Sequence, residues 1–160
     1  MANIKTYRLV KKKYSRKPLD GLGGLYVDGR WHSKGKPIIY SSESIALAKM
    51  EILTRLGGER PLLKAYSVFE IVFDEADTYR LEQSDLPDEW DVWPYCEITQ
   101  MIGDNWIDEG KYLALSVPSA TEPRERNILI NPLHPKIGTV KATDIGLAMF
   151  DGRLFPGEKN

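Results

Sequence analysis

One amphipathic segment, residues 43–56, constrains the fold of this chain more than any other stretch. Its apolar residues recur at helical spacing: Ile45, Ala48, Ile52 and Leu56. The serine pair 41–42 offers an N-cap in front of the segment, and the glycine pair 57–58 supplies a stop signal behind it. The pattern therefore predicts a helix from about Glu43 to Leu56 that buries one face against a core.

Short apolar runs are distributed around this helix, and we interpret six of them as strands: residues 4–10, 38–40, 64–74, 112–117, 127–130 and 137–145. Residues 81–108 hold three of the four tryptophans, and we expect short helices and loops packed by aromatic rings there. The chain has 160 residues, which suits one domain. Because strands outnumber helices, the sequence predicts a single compact α+β domain over residues 1–160 rather than a regular βαβ repeat.

Composition excludes several classes of protein. No apolar run approaches the roughly 18 residues that a membrane-spanning helix needs, and residues 1–13 do not resemble a signal peptide. The single cysteine, Cys96, cannot form an internal disulfide, is interpreted as a buried structural thiol and suits a reducing cytoplasm. The two histidines, His32 and His134, lack ligand spacing, so we expect no metal site.

Charge is unevenly distributed along the chain. Residues 1–60 carry 13 Lys and Arg against 5 Asp and Glu, whereas residues 61–160 carry 9 against 18. This asymmetry fits either an ordinary solvated surface or a basic segment that faces an anion, such as a phosphate-bearing small molecule or a nucleic acid. The glycine-rich stretch 18–36 favours close backbone approach, but it matches neither GxGxxG nor GxxxxGK[ST].

Two candidate site residues lie before the predicted helix. Arg30 stands between a glycine and a tryptophan, and it is either a surface arginine or a bidentate phosphate ligand. Tyr40 ends a short apolar strand, and it is either a core residue or a ring offered to a ligand.

Two further candidates lie on the helix and after a later strand. Glu51 falls at the edge of the apolar arc of the helix. A carboxylate there either extends into solvent or needs a compensating partner or a functional role. Ser119 follows Pro118 at a strand end, and it is either a turn residue or part of a cleft lining.

Several separate motifs, in order along nearly the whole chain, resemble the RES domain family. They are Gly29-Arg30-Trp31-His32-Ser33-Lys34-Gly35-Lys36-Pro37-Ile38-Ile39-Tyr40-Ser41, the segment 44–53, Gly103-Asp104-Asn105-Trp106, Val117-Pro118-Ser119-Ala120, the segment 127–135 and Phe150-Asp151-Gly152-Arg153-Leu154. The Arg, Glu and Ser that give the family its name resemble Arg30, Glu51 and Ser119. The sequence departs from the usual pattern at Asp28 and His32, which bear on the conformation of the loop and on its substrate contacts.

The resemblance implies a fold similar to that of ADP-ribosyltransferase toxins, with mostly antiparallel β structure and flanking helices. It also implies the cytoplasmic toxin of a bacterial toxin–antitoxin pair, which depletes NAD+ as a substrate and needs no cofactor. The partner it implies is an Xre-type antitoxin that occludes the active site. Direct binding of nucleic acid or of a membrane is not expected.

The roles that this resemblance implies can be stated chemically. Glu51 would stabilise the positive charge that grows on the ribose as the nicotinamide–ribose bond breaks. Arg30 would clamp the pyrophosphate, Tyr40 would stack near nicotinamide, Ser119 would orient a ribose hydroxyl or Glu51, and Asn131 would join the NAD+-binding set. The acceptor is water, phosphate or a protein side chain, and we favour hydrolysis or phosphorolysis over protein ADP-ribosylation.

Two other classes of function remain as alternatives. One is a binding module that uses the basic residues 11–17, and the other is an inactive relative retained for protein interaction. The tryptophans Trp90, Trp93 and Trp106 could serve such an interaction, but we interpret them as core packing.

Overall fold

A computed structural model describes residues 2–57 and 65–157 of the chain. The strands are β1 (Asn3–Lys11), β2 (Ile39–Ser42), β3 (Tyr66–Asp74), β4 (Thr78–Arg80), β5 (Ala114–Pro118), β6 (Arg126–Ile130) and β7 (Lys141–Leu147). The helices are α1 (Ile45–Leu56) and α2 (Glu97–Glu109), and short 3₁₀ turns connect several elements. The predicted α+β class is confirmed.

All seven strands belong to one sheet, in the order β4-β5-β6-β2-β1-β3-β7. Every neighbouring pair is antiparallel except β4 and β5, which run parallel. β1 pairs with β3 along its whole length, but it meets β2 at one residue pair, Tyr7 with Ser42. The sheet is therefore two well-paired halves that are joined at one point.

The helix α1 begins two residues later than its pattern predicts. Ser44 is the N-cap, and its Oγ accepts a hydrogen bond from the Leu47 amide. Ser41 and Ser42 belong instead to β2, because pairing with β6 continues the strand through both residues. Gly57 ends the helix with φ of 62°, as its stop signal predicts. Gly58, the second predicted stop residue, and Lys64, the predicted start of the next strand, lie outside the described residues.

Several other segment predictions are wrong in detail. Residues 97–109 form one regular helix rather than short pieces, and the edge strand β4 has no counterpart among the predicted strands. The start of the predicted strand 137–145 is a 3₁₀ turn, so β7 begins at Lys141. Cys96 is half-buried in front of α2 rather than fully buried. Trp90 and Trp106 pack in the core as predicted, whereas Trp93 is 75% exposed.

Three apolar clusters stabilise the fold. One lies where both halves of the sheet contribute side chains, among them Val10, Ile39, Phe69, Ile71 and Ile128. A second packs α2 on β5 and β6 through Trp31, Trp106, Ile107, Leu115 and Leu129. A third packs α1 on β1 and β3 through Leu9, Ala48 and Val68. The clusters hold both helices against the sheet near the junction of its halves.

The approach of the loop 29–36 to α2 depends on a glycine. A Cβ built on Gly103 would lie 1.6 Å from the carbonyl oxygen of Trp31, so only glycine permits this packing. Asp104, the next residue, accepts hydrogen bonds from the amide and hydroxyl of Ser33 at 2.9 and 2.6 Å. The loop that carries Arg30 is thereby fastened to α2.

Candidate active site

Glu51 lies in the second turn of α1 and is held by two hydrogen-bond donors. Ser119 Oγ donates to Glu51 Oε1 at 2.8 Å, and Asn127 Nδ2 donates to the same oxygen at 2.6 Å. Both bonds engage Oε1, which leaves Oε2 outside this pair of contacts. The half-buried carboxylate therefore has the partners that its position on the helix requires.

Ser119 connects Glu51 to the turn that follows β5. The residue is fully buried, and its Oγ accepts hydrogen bonds from the amides of Thr121 and Glu122 at 3.0 and 3.2 Å while donating to Glu51. These two amides orient the hydroxyl, so its proton points at the carboxylate. Ser119 is thus a turn residue and a partner of Glu51 at once.

Asn127 is a site residue to which the sequence gives no role beyond its place at the start of the motif 127–135. It lies in the second position of β6, and its Oδ1 accepts a hydrogen bond of 2.8 Å from Ser42 Oγ, so its amide is fixed with Nδ2 toward Glu51. Its position at the start of an apolar strand is also typical of a strand-end polar residue, so the pattern gives no separate signal. Its function becomes visible only when β2, β6 and α1 are assembled.

Tyr40 lies on β2 opposite Leu129 of β6, two residues from the pair formed by Ser42 and Asn127. Alternation along a strand puts Tyr40 and Ser42 on one face, about 7 Å apart. The Tyr40 hydroxyl lies 2.6 Å from His32 Nδ1, and burial raises the pKa of this phenol well above its usual range. Tyr40 is therefore a neutral, half-exposed ring beside the Glu51 cluster.

His32 is the hydrogen-bond partner of the Tyr40 hydroxyl. It is 3% exposed, and its Nε2 lies 2.8 Å from the carbonyl oxygen of Val27. Since a carbonyl only accepts, Nε2 carries the proton, and Nδ1 accepts a hydrogen bond from the Tyr40 hydroxyl. Burial lowers the pKa of His32, which favours this neutral tautomer. At position 32, where the sequence departs from the usual family pattern, the histidine thus supplies the hydrogen-bond acceptor for the Tyr40 hydroxyl.

Arg30 is bonded to the segment between β4 and α2. Its Nη1 donates to the carbonyl oxygens of Trp90 and Val92 at 2.9 and 2.8 Å, and its guanidinium lies 5.1 Å from the centre of the Tyr95 ring. One nitrogen of the guanidinium is therefore already committed to the protein. A Cβ built on Gly29, the residue before Arg30, would lie 2.7 Å from the Tyr40 hydroxyl, so Arg30 stands at the rim of the same site.

Asn131 stands apart from the other candidates. It is 2% exposed just beyond the end of β6, where Nδ2 donates to the Ile107 carbonyl at 3.3 Å and Oδ1 accepts from the Leu133 amide at 2.9 Å. Four residues of extended chain, about 13 Å, separate it from Asn127. The structure brings Glu51 and Ser119 into contact and places Tyr40 and Arg30 nearby, but it does not bring Asn131 to them.

Within the described ranges 2–57 and 65–157, no group of three or more His, Cys, Asp or Glu residues is arranged to hold a metal ion. Among those same residues, no helix is both long and apolar enough to cross a membrane. The site can offer the Glu51 carboxylate for a developing positive charge, the half-exposed Tyr40 ring, and the Arg30 guanidinium for an anion.

Comparison with known proteins gives consistent matches. Residues 5–151 match the family model described as RES domain. The chain is 34% identical to the Photorhabdus laumondii protein "Toxin Res", over 96% of this chain and 98% of that protein. It is 32% identical to a Sphingobium protein named "Prs ADP-ribosylating toxin", over 89% of this chain and 90% of that protein.

The fold also matches a solved structure. The similar structure is that of the M. tuberculosis MbcT–MbcA toxin–antitoxin complex, with a TM-score of 0.71, 17% identity and coverage of 91% of this chain and 85% of the matched chain. At this identity, the likeness shows a shared fold.

Proposed function

The chain belongs to the RES domain family, and we propose that it is the toxin of a cytoplasmic toxin–antitoxin pair that cleaves the nicotinamide–ribose bond of NAD+. The family model and the names of the relatives support the coarser statement, a RES-domain toxin paired with an antitoxin. The observation that carries the finer statement is the Glu51 carboxylate, fixed by Ser119 and Asn127 on one oxygen.

The proposed chemistry needs one carboxylate and no general acid. The C1′–N bond breaks, and both bonding electrons go to the nicotinamide nitrogen, which loses its positive charge and leaves as a neutral molecule. Positive charge appears on the ribose in an oxocarbenium-like transition state. Glu51 stabilises that charge because its position is set by Ser119 and Asn127 before the substrate enters.

An acceptor completes the reaction. An oxygen of water or of inorganic phosphate bonds to C1′, and water gives up its proton to solvent. Ser119 and Asn127 are positioning residues, since they hold Oε1 and leave Oε2 to face the ribose. Tyr40 supplies an apolar ring next to the carboxylate, suited to stack with nicotinamide, and Arg30 binds substrate at the rim together with Tyr95.

The test is turnover of NAD+ by the purified protein, with and without phosphate, with products separated by chromatography. We expect release of nicotinamide, with ADP-ribose as the product in water and a phosphorylated ADP-ribose if phosphate is the acceptor. Glu51→Gln, which keeps the shape but removes the charge, should lower kcat by about 1000-fold.

The matched control is Glu109→Gln, an exposed glutamate in the last turn of α2. It should leave turnover unchanged. Full NAD+ turnover by a folded Glu51→Gln protein would remove the basis of the proposal.

A second candidate function is ADP-ribosylation of a protein, and the name of the Sphingobium relative favours it. Bond cleavage would be the same, and a nucleophilic side chain of the target would replace water. Incubation with adenine-labelled NAD+ and a cell extract distinguishes the two functions. Label retained on a protein supports transfer, whereas label found only in small molecules supports hydrolysis or phosphorolysis.

We also propose that an Xre-type antitoxin restrains the enzyme by covering the site. The fold shared with one chain of a toxin–antitoxin complex supports a protein partner. In a titration of the toxin with its antitoxin, NAD+ cleavage should fall to zero at a fixed molar ratio. Undiminished cleavage in the saturated complex would exclude occlusion.

A further inference from the structure

Arg126, the first residue of β6, is a buried cation whose hydrogen bonds all go to uncharged acceptors. Its Nε donates to Ser116 Oγ at 2.7 Å, and its Nη2 donates to the Ser116 carbonyl at 2.8 Å and to the Leu81 carbonyl. The residue is 9% exposed, and burial lowers its pKa. Within residues 2–57 and 65–157, no carboxylate forms an ion pair with its guanidinium. An apolar side chain would fill this space without the cost of a buried charge, so the guanidinium indicates a role that needs directed hydrogen bonds.

The Arg126 side chain fastens β5 to β6. Ser116 lies in the middle of β5, and its carbonyl also accepts a hydrogen bond of 2.9 Å from the amide of Leu81, the residue after β4. The guanidinium therefore joins the start of β6, the middle of β5 and the segment that follows β4. Because β5 ends at Pro118, one residue before Ser119, this contact fixes the strand that leads into the Ser119 turn.

The Arg126 backbone fastens β6 to the start of α1. Its amide donates to Glu43 Oε1 at 3.0 Å, and its carbonyl accepts a hydrogen bond from the Glu43 amide at 3.1 Å. Ser44, the N-cap of α1, follows Glu43, and its Oγ donates to Glu125 Oε1 at 2.8 Å. The helix that carries Glu51 is therefore anchored at the start of β6.

These contacts converge on the Glu51 cluster, which consists of Glu51, Ser119 and Asn127. The three residues come from α1, from the turn after β5 and from β6, and hydrogen bonds of 2.8 and 2.6 Å join them. Asn127 directly follows Arg126, and the Ser119 amide donates to the Glu125 carbonyl at 3.0 Å. A change in the spacing of β5 and β6 would therefore move both donors relative to Glu51 Oε1.

We propose that Arg126 is a positioning residue for the reaction and holds β5, β6 and α1 at the spacing that the Glu51 cluster needs. This inference rests on the proposed function, since it concerns the same carboxylate. Ser119 and Asn127 donate to one oxygen, so a small shift of either strand weakens their hold and turns Oε2 away from the ribose. A misplacement of about 1 Å in a reacting group can cost about 100-fold in rate.

The experiment measures the NAD+ kinetics of Arg126→Met, which keeps an unbranched apolar stem but removes the hydrogen bonds. We expect kcat to fall by about 30-fold with KM unchanged, because the substrate contacts remain while the carboxylate is misplaced. Ser116→Ala removes only the acceptor of Nε, and it should lower kcat by about threefold. This second variant deletes a single hydroxyl, so the test remains decisive even if Arg126→Met does not fold.

Arg124→Met is the matched control. Arg124 lies two residues before Arg126, its side chain is 89% exposed, and its ion pair with Glu122 lies at the surface, so kcat should not change. A double-mutant cycle adds a readout that a purely structural role would not move. In a Ser119→Ala background, Arg126→Met should cost less than in the wild type, because the donor that it positions is already absent.

The possible outcomes separate this inference from the proposed function. In NMR spectra, the Asn127 side-chain amide reports its hydrogen bond to the carboxylate without turnover, and its signal should move toward that of a free amide in Arg126→Met but not in Arg124→Met. That change, in a protein whose wild type does not cleave NAD+, would support the positioning role and contradict the activity. NAD+ cleavage with unchanged kcat in Ser116→Ala or in folded Arg126→Met would support the activity and overturn the positioning role. An equal loss in the Ser119→Ala background, or a kcat that is normal per folded molecule, would also overturn it.

Discussion

The carboxylate side and the arginine side of the candidate site differ in how completely the protein itself supplies their hydrogen-bond partners. On the carboxylate side, Glu51 Oε1 accepts from Ser119 and Asn127, and each of these is fixed by further hydrogen bonds. On the arginine side, Arg8 Nη1 donates to the Tyr40 carbonyl at 2.7 Å, while its buried Nε has no hydrogen-bond partner among residues 2–57 and 65–157. Two donors hold one oxygen of the carboxylate, whereas one donor of the guanidinium is left unsatisfied.

This difference has a physical reason. A group that stabilises a transient charge is effective only if it does not reorganise during the reaction, so its hydrogen bonds are best made in advance. A buried guanidinium N–H without an acceptor carries a desolvation cost that a further hydrogen bond would offset.

Among the substitutions that leave Glu51 itself in place, the largest effect is expected from Asn127→Ala. Loss of one donor frees the Glu51 carboxylate to rotate, and kcat for NAD+ should fall by about 100-fold with little change in KM. Steady-state kinetics would measure this. Asn105→Ala, at an exposed position on α2, serves as the control, and an Asn127→Ala enzyme with normal kcat would show that the carboxylate is not held in advance.

A smaller effect is expected from Gly29→Ala. The new Cβ would lie 2.7 Å from the Tyr40 hydroxyl and 2.8 Å from His32 Cε1, so it would disturb the tyrosine–histidine pair without touching Glu51. KM for NAD+ should rise by about tenfold, the scale of one lost stacking contact, while kcat changes less.

Gly23→Ala is the matched control for this prediction, because a Cβ there meets nothing within 4 Å. If Gly29→Ala lowers kcat and leaves KM unaltered, Tyr40 belongs with the catalytic carboxylate and not with the substrate-binding side.

The smallest effect concerns pH. Burial lowers the pKa of His32 below its ordinary value of 6.5, so the unfolded chain binds a proton more readily than the folded one. Stability from this residue is therefore full above about pH 6.5 and is lost as pH falls toward the folded-state pKa. The Tm, followed between pH 8 and pH 5, should decrease on the acid side.

A variant isolates the contribution of His32 to this decrease. His32→Gln removes the titrating ring and should flatten the acid-side decrease in Tm. A variant whose Tm falls as steeply as that of the wild type would assign the pH effect to other groups.

The sequence by itself determined the helix α1, its stop at Gly57, most strands and the α+β class. These features are local, because helical spacing, capping and alternation act within a few residues. Motif order also selected Arg30, Tyr40, Glu51 and Ser119, and the roles we assign them stay proposals. The sequence could not show that Asn131 is buried away from them, because its hydrogen-bond partners include the carbonyl of Ile107 on another element.

Only the tertiary structure decided which residues meet. Asn127 reaches Glu51 because β6 lies beside β2 and α1 crosses near both, and Arg8 reaches the Tyr40 carbonyl because β1 is the other neighbour of β2 in the sheet. These contacts join residues 32 to 76 positions apart in the chain. No local pattern records such distances, since strand order results from packing of the whole domain.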